Sequence, residues 1–145
     1  MFINLGHLWR CPTAAAMNAL AKRLDLPPPP LEYDWELAVA DSTRIDEFVT
    51  LYENGGLTDD ERFTLMEVIL NSVIHAVAEN DTSILKSDIW QKILTLLEQN
   101  IEIHIYSVWY YSSVEYDDVD IEDSWCIAPF MRPILARHQG RFAKQ

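Results

Sequence analysis

Glu67, Asn71, His75 and Glu79 recur every four residues, a spacing that stacks them on one face of a helix. A carboxylate and an imidazole placed this way could share a proton or contribute to a metal site. Glu67, His75 and Glu79 therefore define one reading, a metal-dependent enzyme. Carboxylate di-iron bundles, however, draw Glu-x-x-His from two helices, and the chain has no such motif. The solvated edge of a buried helix accounts for the same residues and is preferred. His104, close in sequence to Glu98 and Glu102, is read the same way.

Other chemistry is scarce. There is no G-x-S-x-G elbow, no phosphate-binding loop, no C-x-x-C and no H-E-x-x-H. His7, His75, His104 and His138 show no pair at a ligand spacing. Cys126, between Trp125 and Ile127, reads as a small packed hydrophobe. Two isolated cysteines make no disulfide framework. The expectation is a protein that is not an enzyme, with no catalytic residue, no cofactor and no metal.

A stronger candidate is a stretch of aromatics and acids. Tyr106, Trp109, Tyr110, Tyr111, Tyr116 and Trp125 interleave with Glu115, Asp117, Asp118, Asp120, Glu122 and Asp123, and no base falls among those acids. Tyrosine and tryptophan give large, rigid contact area and dominate binding hot spots. Carboxylates around them attract Lys and Arg and raise association rates. The expected partner-binding residues are Tyr110, Tyr111, Tyr116, Asp117, Asp118, Asp120, Glu122 and Asp123, and the expected target is a basic protein.

A tyrosine pair followed by an acidic loop, a short helix and a basic tail resembles the nuclease-colicin immunity proteins from Tyr110 to about Arg141. The resemblance is one of surface chemistry. This chain is longer, its loop differs, and its first 34 residues have no counterpart. The resemblance implies a small acidic helical protein that inhibits a basic toxin through tyrosines and carboxylates. Small acidic helical chains also mimic nucleic acid, their carboxylates standing in for phosphates.

Charge distribution agrees with such a role. The 145 residues carry 11 Lys and Arg against 23 Asp and Glu, a formal net charge of −12. All 23 acids lie between Asp25 and Asp123, where four bases leave that segment at −19. The first 24 residues carry +3 and the last 22 carry +4. An acidic body repels nucleic acid and favours a basic protein surface. At 49% apolar residues the chain is too hydrophobic for disorder. No apolar run approaches the ~18 residues that cross a bilayer, so no membrane partner is expected. The opening residues make a poor secretory signal, which points to the cytoplasm, with an organelle transit peptide as the alternative.

The elements that must position these residues are helical. Thr13 can cap a helix over 13–24, which the run Leu26 to Leu31 (LPPPPL) stops in an extended spacer. Residues 1–34 are therefore read as an N-terminal arm with a polyproline linker, able to support homo-oligomers, and 35–145 as a helical domain. A helix from Ser42 or Thr43 to Asn54 ends at Gly55-Gly56. Thr58 and Glu61 form a capping box before Phe63, Met66, Ile69, Leu70, Val73, Ile74 and Val77. Ser87 or Asp88 can cap the next helix. Ile101, Ile103 and Ile105 alternate like a strand, whereas Leu97, Ile101, His104, Ile105, Val108 and Trp109 keep helical spacing. The preferred architecture is all-α, a single bundle of about four to six helices. The alternative is α+β with a hairpin of 101–111 and 124–128. A last helix from Pro129 needs Pro133 within its first turn, and a frayed basic tail should follow. The function expected is neutralisation or inhibition of a basic protein, such as a toxin, nuclease or other nucleic-acid enzyme, by occlusion. A structural or adaptor subunit of an oligomer is the alternative.

Overall fold

Side-chain caps set the starts of three helices. The computed structural model describes residues 2–30, 34–114 and 125–144. Among the described residues every regular element is helical: α1 (Ala14–Leu24), α2 (Trp35–Ala38), α3 (Ile45–Asn54), α4 (Asp59–Ala78), α5 (Asp88–Gln99), α6 (Ile101–Tyr111) and α7 (Ala128–His138), with short 3₁₀ turns. The Thr13 hydroxyl accepts from the Ala16 amide at 3.1 Å. Thr58 and Glu61 form the reciprocal box at 3.2 and 2.9 Å. Ser87 Oγ accepts from the Trp90 amide at 3.2 Å. Each bond satisfies a first-turn N–H that has no partner within the helix.

The chain forms two units, Cys11–Trp90 on one hand and Met1–Arg10 with Gln91–Gln145 on the other. Residues 1–34 are thus shared between them. In the Cys11–Trp90 unit, α4 is central, and α1, α2 and α3 pack against it. Buried residues on α4 include Leu65, Met66, Val68, Ile69 and Leu70, five within six positions, so burial covers more than a single stripe, while Glu67, Ile74 and Ala78 mark the more open side. From α1 the buried set is Ala16, Leu20, Ala21 and Leu24. From α3 it is Ile45, Phe48, Val49 and Tyr52. After the proline run, the Trp35 indole N–H donates to the Pro27 carbonyl at 2.7 Å. Ser72 is fully buried on α4; its hydroxyl donates to the Val68 carbonyl and accepts the Asp41 amide, which fixes the turn before α3.

Burial of Tyr52 pushes its phenol up to about 12, against an ordinary value of 10.0. The folded state therefore favours the protonated phenol. The associated stability is present below pH 10 and is lost as pH rises towards 12. An ultraviolet pH titration should show a late-ionising tyrosine, and Tyr52→Phe should remove that late phase. All six tyrosines ionising together near the ordinary value would contradict this.

In the other unit, α6 packs on α7, and the Gly6–Leu8 turn packs on α6. The hairpin alternative for 101–111 is corrected here. After Asn100 the chain resumes as helix, with the Ile103 and His104 amides donating to the Asn100 carbonyl at 2.9 and 3.2 Å. His104 is fully buried whereas Ile103 is half-exposed, so the 3.6-residue period decides the face. Residues 125–127 lead into α7, and 124 lies outside the described residues.

Pro133 is inside α7, in its second turn, rather than in the first as expected. It has no N–H to give to the Pro129 carbonyl, but both prolines are exposed, so water can serve that carbonyl. The tail is also held. Arg137 Nε and His138 Nε2 both reach Glu98 Oε1, at 2.7 and 3.0 Å, and Arg141 reaches Glu102 at 2.6 Å. The Arg137 guanidinium, and then His138, hold the Glu98 carboxyl below its ordinary range. The Ile3 amide donates to the Gln139 side chain at 2.8 Å. Among the described residues, no helix is long and apolar enough to cross a membrane.

Candidate partner-binding surface

Continuing the stripe of Ile101, Ile105 and Val108 along α6 turns Trp109 and Tyr111 inward, at 4% and 5% exposed. Tyr110 follows the opposite side of the helix and is 45% exposed. Adjacent helical residues differ by about 100° in direction, so the tyrosine pair divides between surface and core. Tyr106, one turn before Tyr110, is half-exposed. Trp125, just ahead of α7, completes the group.

These rings form one network. Tyr106 and Tyr110 lie 6.2 Å apart between centroids, and Tyr110 and Trp125 lie 6.0 Å apart. Beneath them, Tyr111 meets Tyr110 edge-on at 5.1 Å and Trp125 edge-on at 5.2 Å, while Trp109 meets Tyr106 at 5.7 Å. Edge-to-face pairs at such distances are favourable beyond simple burial. The exposed rings therefore rest on a packed base.

The end of α6 ties the two flanks of the acidic segment together. Ser112 is fully buried and its hydroxyl donates to the Val108 carbonyl at 2.6 Å. Ser113 turns the chain at φ 58, a left-handed conformation. Its hydroxyl accepts from the Trp125 amide at 3.4 Å, and Arg132 Nε donates to the Ser112 carbonyl at 2.9 Å. Of the residues expected to bind, Tyr110 and Tyr111 are placed as above. Tyr116, Asp117, Asp118, Asp120, Glu122 and Asp123 lie outside the described residues.

Among the described residues, no group of three or more His, Cys, Asp or Glu is placed to hold a metal ion. Asn71 is buried, its amide donating to the Glu67 carbonyl, and Glu79 accepts from the Ser42 hydroxyl at 3.4 Å. Both cysteines are free. Burial pushes the Cys126 thiol up, which makes it a poor nucleophile.

Sequence reasoning missed two features. Trp9 is 66% exposed, the most open of the large hydrophobic residues described. The pairing of the tail with Glu98 and Glu102 was the other, and its one signal was opposite charge at a distance along the chain. Among the described residues every regular element is helical, and exposed Tyr110 and Trp125 flank the acidic segment in the sequence. Comparison with protein-family models, with curated proteins and with solved structures gave no match in any of the three.

Proposed function

We propose that this chain is a cytoplasmic, non-catalytic protein-binding domain that neutralises or inhibits a basic protein by occlusion. The observation that carries this reading is the exposed Tyr110 and Trp125, set on a packed ring cluster at the two ends of a segment bearing six carboxylates and no base. Rigid rings supply contact area at low entropic cost, and the carboxylates steer a cationic partner. Toxins, nucleases and other nucleic-acid enzymes have the basic surfaces that such a face would cover.

Replacing Asp117, Asp118 and Asp120 by Asn should slow association with the basic partner about tenfold at low salt and flatten its salt dependence. The fold should remain intact, as read by thermal melting. Unchanged association kinetics in the triple variant would remove the segment from the account.

A structural or adaptor role is the second reading, favoured by the exposure of Trp9 within the first 34 residues. Deleting that stretch cannot test it, because Leu5, Leu20 and Leu24 are all buried. Trp9→Ser with sedimentation analysis tests it instead. An assembly subunit should lose its oligomeric state, and an inhibitor should keep its partner.

A further inference from the structure

The two ends of the chain carry no acidic side chain, and they meet within one unit. All 23 acids lie between Asp25 and Asp123. The Ile3 amide donates to the Gln139 side chain at 2.8 Å, and the Gly6–Leu8 turn packs on α6. There Asn4, Gly6, His7, Trp109 and Lys144 line an open cleft of about 510 Å³. Among the described residues no carboxylate lines it, although the chain carries −12 overall. Its polar side chains bring donors: the Lys144 ammonium, the His7 ring and the Asn4 amide. Asn4 Oδ1 already accepts the Gly6 amide at 2.8 Å, which leaves the NH2 group as its donor end. The apolar part of the lining is the Trp109 indole, and Gly6 has no side chain to cover it. A β-carbon at Gly6 would lie 3.4 Å from Trp109 Cη2 and 3.1 Å from Asn4 Oδ1. We propose that this cleft binds a small oxyanion carried on a flat ring, an aryl carboxylate or a mononucleotide. Cationic and amide donors with no competing carboxylate recognise the anion. The volume falls within the ~300–1,000 Å³ of small-molecule sites, so a ring is accommodated as well as its charged group. The cleft shares no residue with the surface of Tyr110 and Trp125, so its failure would leave the proposed function untouched.

The test is calorimetric titration of the full chain with adenosine monophosphate, naphthoate, adenosine and inorganic phosphate. At least one of the two ring-bearing anions should bind about tenfold more tightly than adenosine or phosphate. Whichever of the two binds tighter tells a mononucleotide from an aryl carboxylate. Lys144→Gln should weaken that binding about fivefold. Gly6→Leu, whose side chain starts among the lining residues, should abolish it. Lys86→Gln, exposed on the other unit, should leave it unchanged. Thermal melts separate lost recognition from lost folding, and Lys144→Gln decides the matter if Gly6→Leu does not fold. Absence of binding by both ring-bearing anions at millimolar concentration would overturn the proposal. Phosphate or adenosine binding as tightly as they do would also overturn it, as would binding that Lys144→Gln leaves unchanged.

Discussion

Leu70→Ala should destabilise the protein by about 3 kcal/mol, within the ~2–5 kcal/mol found for leucine truncation in cores. Leu70 is fully buried in the middle of α4, with Ile69, Met66 and Val73 fully buried around it. Truncation removes the transfer energy of the missing carbons. It also leaves a cavity that the surrounding α1, α2 and α3 close only in part. Leu37→Ala is the control, because Leu37 is 43% exposed and should cost under ~1 kcal/mol. Urea unfolding should therefore show a large fall in midpoint for Leu70→Ala, with the slope preserved, and a small one for Leu37→Ala. Equal losses at the two positions would contradict the central placement of α4.

Gly55→Ala should cost about 2 kcal/mol, for a steric reason that a helix-stop motif does not convey. A β-carbon at Gly55 would lie 2.5 Å from the Leu51 carbonyl oxygen and 2.8 Å from Leu51 Cδ1. The side-chain carbon can swing away. The carbonyl cannot, because it accepts the Gly55 amide at 2.8 Å and closes the last turn of α3. The Gly55 carbonyl is itself held by Arg23 at 2.9 Å. Gly56 differs: it adopts φ 61 and has open space where a β-carbon would go. Gly56→Ala then meets only the left-handed conformational penalty, about 1 kcal/mol. Thermal melting should rank Gly55→Ala below Gly56→Ala in stability. The reverse order would show that backbone conformation, and not contact, requires the pair.

What the sequence disclosed was mostly local. Thr13, Thr58 with Glu61, and Ser87 announce helix starts because the cap hydroxyl and the amide that donates to it are three residues apart. The strand-or-helix ambiguity at 101–105 resolves on two residues, with His104 buried and Ile103 half-exposed. The division of Tyr110 from Tyr111 was readable in principle, since the phase set by Ile105 and Val108 sends residue 111 inward. Regarding the tyrosines as a pair concealed it. Pairing of Arg137 and His138 with Glu98, and of Arg141 with Glu102, spans 39 or 40 positions. Nothing local signals a contact at that range, and the tail read as frayed. Exposed pairs of this kind contribute ~0–1 kcal/mol each, so their effect is to position the tail more than to stabilise the fold.

The most direct measurement is affinity capture on the immobilised chain from nuclease-treated lysate of the source organism, eluted along a salt gradient, with the Asp117, Asp118 and Asp120 triple variant run in parallel. The account expects one basic protein, retained by the native chain, released as salt rises and lost from the variant. It also expects that protein's activity to fall in proportion to added native chain. Recovery of the chain alone, or of an assembly that resists salt and binds the variant equally, would contradict inhibition through an acidic surface.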